Sequence, residues 1–461
     1  MENFWESDVW GFVNLIAILL ISLLAANLIK KSVKPLKYSL IPTSVLGGLI
    51  LLIINVVYTA ITGNNVFNTE FFAYKGPATL EVITYHCLAL GFIATTFKGT
   101  KEKFSKERNV EIFNTGVTTV STYLLQGVFG MAVTIIASLL VSEIFAASGI
   151  ILPFGYGQGT GQALNWGGIY ESDYGFVGGK SFGLTIAALG FISAALGGVI
   201  HLNIMRKHGK LTTTSTEVCE ALNSEQIQSD DEIPMNASID KMTVQVAIVF
   251  ASYFIAYLMM YALGLLLPGL RSTLYGFNFL LGVIAATLVY AVYNWMKKAK
   301  IAKKSYINPF LMNRISGFCF DLMIIAGIAA IRLEFIKNYF LIIAILGLGG
   351  AVLTYFYLRF VCKKLFGKYA EEQFLAMYGM LTGTASTGMI LLREADMDLK
   401  TPASDNLVYQ NFPAIVFGFP MMLIAGLAPK NPILTLIILF AFLVVMVLLL
   451  FRSFIFKRKK K

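Results

Sequence analysis

Two stretches of this chain combine residue types that bind small solutes through main chain and hydroxyl groups. Residues 153–168 read Pro-Phe-Gly-Tyr-Gly-Gln-Gly-Thr-Gly-Gln-Ala-Leu-Asn-Trp-Gly-Gly, and residues 378–388 read Tyr-Gly-Met-Leu-Thr-Gly-Thr-Ala-Ser-Thr-Gly. Glycine has no Cβ, adopts positive φ, and lets a solute approach the backbone closely. In the first stretch Gly157, Gln158, Gly159, Thr160, Gly161 and Asn165 offer such backbone with a hydroxyl and two amides. In the second, Thr382, Gly383, Thr384, Ser386 and Thr387 offer hydroxyl oxygens of the kind that ligate a cation. Amides exposed where a loop enters a helix attract an anionic group. For either stretch alone, close helix packing through small residues is the competing explanation. Asp321 is a further candidate. It lies in an apolar segment, where a charge is expensive and usually functional; it either holds a coupling ion or pairs with Arg314, seven residues earlier on the same helical face. Arg393 and Asn411 flank the second stretch, with Arg393 read equally well as a cytoplasmic anchor beside Glu394 and Asp396, and Glu81 is read as interfacial.

The elements that must position these residues are membrane helices. Of the 461 residues 57% are hydrophobic and 14% charged, against about 25% charged in soluble domains, and the mean hydropathy is +0.71. Apolar runs near 10–29, 41–62, 78–97, 117–141, 182–205, 242–267, 275–296, 315–331, 338–361, 408–428 and 432–452 have the roughly 20-residue length that crosses a hydrocarbon core of about 30 Å. The fold class is therefore all-α and polytopic, with eleven crossings. The glycine-rich segments, roughly 148–170 and 371–395, are too polar to span and too apolar for solvated loops. Non-helical backbone at that depth survives only inside protein or against a polar cavity, so both are expected to be re-entrant loops.

Lysine and arginine fall on alternate connections, as a correct crossing count requires. Clusters follow the odd-numbered spans: Lys30 to Lys37, Lys98 to Arg108, Arg206 to Lys210, Lys297 to Lys304, Arg359 to Lys368 and Lys457 to Lys461; the opposite connections hold only Lys75, Lys180, Arg271, Arg332, Lys337 and Lys430. The N-terminus is expected outside and the C-terminus in the cytoplasm of a multi-pass cell membrane protein. Residues 206–241, basic and then acidic with Ser and Thr, read as a cytoplasmic linker. It separates a first repeat, 1–205, from a second, 242–431, and 432–461 adds a terminal helix and basic tail. Five crossings per half is an odd number, so the halves must be inverted. Paired interruptions in inverted halves point to a transporter's binding site.

Several function classes are excluded. The net charge of +11 sits between apolar spans, which argues against nucleic acid. The four cysteines and three histidines show no metal-ligand spacing. Gly179-Lys180-Ser181 resembles the end of a phosphate loop, but Tyr174 stands where that motif needs glycine. No catalytic constellation is visible, so an enzyme is not expected.

The chain resembles the bacterial sodium/glutamate symporter family over most of its length. The resemblance rests on Lys37-Tyr38, Ile41-Pro42 and Gly47-Gly48, on Gly157-Gln158-Gly159-Thr160-Gly161, on the acidic linker, and on Gly379 with Gly383-Thr384-Ala385. It implies sodium-coupled uptake of glutamate through re-entrant loops, with sodium as coupling ion and no other cofactor. Expected partners are a small anionic amino acid, sodium and membrane lipid, with homodimerisation left open. The family commonly carries histidine where this chain has Gln158, and its second loop is less rich in threonine. Rival readings are proton coupling or a di- or tricarboxylate cargo and, from another class, a passive channel.

Overall fold

The computed structural model describes residues 3–37, 39–97, 105–208, 239–301, 304–396 and 401–455. Most of the expected linker, the Lys98 to Lys103 cluster and the tail Lys457 to Lys461 lie outside these residues, as does Tyr38. Among the described residues ten helices are long and apolar enough to cross a membrane, and an eleventh crossing arises if a pair bent by 49° counts as one. The protein is an all-helical, multi-pass membrane protein.

The helices are α1 Ser7–Ser32, α2 Thr43–Thr62, α3 Gly76–Thr96, α4 Lys106–Leu140, α5 Ile151–Tyr174, α6 Gly179–Lys207, α7 Lys241–Leu266, α8 Asn278–Lys298, α9 Pro309–Ala329, α10 Phe340–Leu365, α11 Ala370–Thr382, α12 Ala385–Arg393, α13 Ala403–Tyr409, α14 Asn411–Leu427 and α15 Pro432–Leu450. Their ends carry ordinary signals. The Ser105, Asp240, Asn308 and Asn431 side chains accept from the backbone N–H three residues on, and Gly63 and Gly175 close α2 and α5 at positive φ. The fourth crossing starts earlier than its apolar run, because Ser105 caps a polar first turn; at 35 residues α4 is about 50 Å long, longer than a hydrocarbon core of about 30 Å. The bent pair that would make the eleventh crossing is α13 with α14.

Three helix pairings fix the frame. α4 and α10 run antiparallel: Tyr357 donates to Ser121 Oγ at 2.7 Å, Gln126 Nε2 to Thr354 Oγ1 at 2.8 Å, and Tyr339 to the Glu143 carbonyl at 3.1 Å, so positions climb on one helix as they fall on the other. α3 and α9 also cross antiparallel, with Thr95 and Ser316 hydroxyls 2.7 Å apart and Phe92 packed on Phe320. α6 runs parallel to α10, since Leu189 meets Gly347 and His201 meets Tyr355. Fully buried Trp166, Tyr156, Tyr170 and Phe191 sit where these pairs enclose the glycine-rich segments.

Candidate functional site

The two glycine-rich segments fold as helical hairpins, and their non-helical backbone is far shorter than the sequence suggests. In α5 the break is one residue: Gly159 has φ 77° and ψ −168°, a conformation open to glycine because it lacks Cβ. An unbroken helix would separate Phe154 from Trp166 by about 18 Å. Their rings instead stack at 5.2 Å, and Phe145, just before the hairpin, packs 5.6 Å from Tyr170 near its end. The second arm therefore folds back along the first. The other hairpin turns at Gly383 (φ −139°, ψ −104°) and Thr384 (φ −144°, ψ 170°). Its arms α11 and α12 touch backbone to backbone, since a Cβ on Gly379 would stand 2.7 Å from the Cα of Gly388.

The hairpins enter from opposite ends of the α4–α10 pair. The first arm of α5 lies antiparallel to α4, with Gly149 against Gly130, Pro153 beside Gly127 and Tyr123 on Gly157, so its base is at the C-terminal end of α4. α11 lies antiparallel to α10, with Tyr355 beside Phe374 and Tyr378 and Arg359 paired to Glu371. Its base is at the C-terminal end of α10, the far end of the bundle. The tips meet. A Cβ on Gly159 would stand 3.3 Å from Cγ2 of Thr384, 3.7 Å from Met323 and 3.9 Å from the Phe191 ring, and one on Gly383 would stand 3.2 Å from that same ring.

A broken helix leaves carbonyls without partners at the end of its first arm. α4 satisfies one of them in each hairpin: the Tyr123 hydroxyl donates to the Gly157 carbonyl at 3.0 Å, and Gln126 Nε2 to the Leu381 carbonyl at 3.0 Å. Each carbonyl lies two residues before its break, and the two donors are three apart on one helix face. The returning arms begin at the meeting point, so two helix N-termini, with their partial positive charge, converge on Gly159 and Thr384. One amide is already capped, as Thr384 Oγ1 accepts from Thr387 N at 3.5 Å.

The sequence-derived candidates distribute unevenly around this point. Thr160 is fully buried and donates to the Met323 carbonyl at 3.2 Å, joining the first tip to α9. Thr384 is part-buried, Ser386 is exposed, and Thr387 is buried with its hydroxyl 3.3 Å from that of Thr384. Gly157 and Gly161 press against Tyr123 and against Leu88 with Met323, respectively. Gln158 is part-exposed beside the break. Thr382 spends its hydroxyl on the Tyr378 carbonyl, 2.7 Å away within its own helix. Asn165 stands apart from the tips and donates to the Gly276 carbonyl at 2.6 Å. Asp321 also stands apart, on the side of α9 that faces Ser44 of α2, whereas Met323 and Gly327 face Thr160. Its alternative partner Arg314 lies over the Phe310 ring instead.

No family model matches the chain, and no curated protein matches it.

Three polar groups that the sequence did not single out, Gln126, Tyr123 and Gln162, lie in or beside the tips, and clustered charges stand at the two bases. Glu81 bridges Lys180 at 2.7 Å and Arg332 at 3.2 Å near the first base. At the second base the fully buried His201 contacts Tyr355 at 2.9 Å and Glu371 at 3.0 Å. Tyr369, between α10 and α11, has its phenol held above the ordinary range by burial, and its oxygen accepts from Asn406 at 3.3 Å. Among the described residues no group of three His, Cys, Asp or Glu could hold a metal ion. The arrangement offers hydroxyls, two helix N-termini and side-chain amides with unpartnered atoms, which suit reversible binding.

Proposed function

We propose that this protein is a secondary active transporter, a sodium-coupled symporter of glutamate or a related acidic amino acid that works by alternating access in the cell membrane. The observation that carries this reading is the contact between the Gly159 and Thr384 tips of hairpins based at opposite ends of the bundle. A site at such a junction can be sealed from either face by one hairpin while the other withdraws. In this reading the hairpins are re-entrant, and α1 to α6 and α7 to α14 are inverted repeats in which α3 answers to α9 and α4 to α10. The antiparallel crossing of each pair supports that correspondence. The N-terminus is outside, and α15 returns the C-terminus to the cytoplasm.

Two converging helix N-termini favour an anionic cargo, and the Thr384 and Thr387 hydroxyls, 3.3 Å apart with Ser386 exposed between them in sequence, are oxygens of the kind suited to sodium. The resemblance to sodium/glutamate symporters points the same way. In liposomes carrying the purified protein, an inward sodium gradient is expected to drive accumulation of labelled glutamate. No gradient-dependent accumulation of glutamate or of any dicarboxylate overturns the proposal, and non-saturating conductance would make the protein a channel.

A further inference from the structure

The second arm of the first hairpin carries a set of polar atoms that nothing in the fold satisfies. Gln162 is 1% exposed and Trp166 0% exposed. Neither amide atom of Gln162 has a hydrogen-bond partner, and neither does the indole Nε1 of Trp166. Buried polar atoms without partners cost about 1–3 kcal/mol each, so three on one short arm form an unusual concentration. The residues are four apart, which places them on one helix face. That face looks toward the first arm, because the Trp166 ring stacks on Phe154. Gln162 lies in the opening turn after Gly159, a position where the first N–H groups of a helix have no partner within the helix.

We infer that Gln162 and Trp166 form the subsite for the α-amino-acid end of the transported solute. The chemistry of the orphaned atoms specifies that group: Gln162 Nε2 and Trp166 Nε1 are donors and Gln162 Oε1 is an acceptor. A carboxylate accepts from the two donors and from the helix-terminal amides. An ammonium on the adjacent carbon donates to Oε1. A dicarboxylate lacking the ammonium leaves Oε1 unpaired, so Gln162 separates amino acids from plain dicarboxylic acids. For its substrate this inference rests on the transport reading above.

The test is competition against labelled glutamate uptake by unlabelled glutamate and by glutarate, the same diacid without its amine, in wild type, Gln162→Met, Gln162→Glu and Trp166→Phe. Losing one charge-assisted hydrogen bond weakens binding about tenfold or more. Wild type is therefore expected to prefer glutamate by at least that factor. Gln162→Met lowers the preference toward unity, Gln162→Glu raises it, and Trp166→Phe, which keeps the stack on Phe154, weakens both competitors equally. An equal loss for both compounds in Gln162→Met, as a site satisfied only by water would give, overturns the inference.

If neither glutamate nor any dicarboxylate is carried, the transport reading fails by itself and the subsite is read separately, through Trp166 fluorescence with Trp5, Trp10 and Trp295 replaced by Phe. A response to an α-amino acid but not to its deaminated analogue, lost in Gln162→Met, sustains it. Equal responses, or none across the amino acids, overturn it.

Discussion

Thr160 and Thr384 stand on either side of the contact between the tips, and their hydroxyls do different things. The Thr160 hydroxyl is buried and tied to the Met323 carbonyl, so it anchors the first tip to α9. Thr384 is part-exposed, and its hydroxyl caps α12 through a long 3.5 Å bond to Thr387 N. A bond of that length is readily exchanged for an incoming ligand. Valine preserves the volume of threonine and deletes the hydroxyl. Thr160→Val should lose about 1 kcal/mol of local stability and show reduced uptake with a lowered melting temperature. Thr384→Val should lose a cap of about the same size and, in addition, weaken the dependence of uptake on sodium. Uptake titrated against sodium, alongside melting in detergent, separates the two. Wild-type sodium dependence in Thr384→Val would reduce this threonine to a helix cap.

At the scale of elements, α4 is the part on which the site depends. Tyr123 and Gln126 each satisfy one carbonyl two residues before a break, so one helix braces both hairpins. This was invisible along the chain. Tyr123 and Gln126 lie in an apolar run with no local motif, and their partners are 34 and 255 residues away. The breaks themselves were legible, because clustered glycine inside a hydrophobic protein has few other uses. Their extent was not. Composition cannot distinguish a long irregular loop from two helical arms joined at Gly159, since alanine, leucine, methionine and even glycine are tolerated in a packed arm. Asp321 drew attention by charge alone, yet its neighbours decide its setting, and those are on α2. The break at Gly159 gives the element-scale prediction. Gly159→Ala forces a side chain into φ 77° and sets its Cβ 3.3 Å from Thr384, a strain of order 1–3 kcal/mol. Uptake is expected to fall to background while the protein still reaches the membrane. Undiminished uptake in Gly159→Ala would mean that the tip contact is not the working site.

The whole molecule is organised by two antiparallel helix pairings, α3 with α9 and α4 with α10. A hairpin laid against the C-terminal end of α4 must then open toward one face of the bundle, and its counterpart against the C-terminal end of α10 toward the other. Ion pairs stand at both ends: Glu81 with Lys180 and Arg332 near the first base, and Glu371 with Arg359 near the second, where Glu371 also lies 3.0 Å from His201 Nε2. Each cluster joins different helices, and each is partly screened from water; in the proposed transport reading, opening one end would expose the charges there while the other end keeps its own paired. The topology can be checked without any assay of transport. Val177, at the first base, is 69% exposed, and Arg393, where the second hairpin ends, is exposed as well. In a background with all four cysteines replaced, Val177→Cys should react with a membrane-impermeant maleimide added to intact cells. Arg393→Cys should react only when inside-out vesicles are treated. Labelling of both positions from one face would place the two bases on the same side of the membrane, and a site sealed alternately by opposed hairpins would then be untenable.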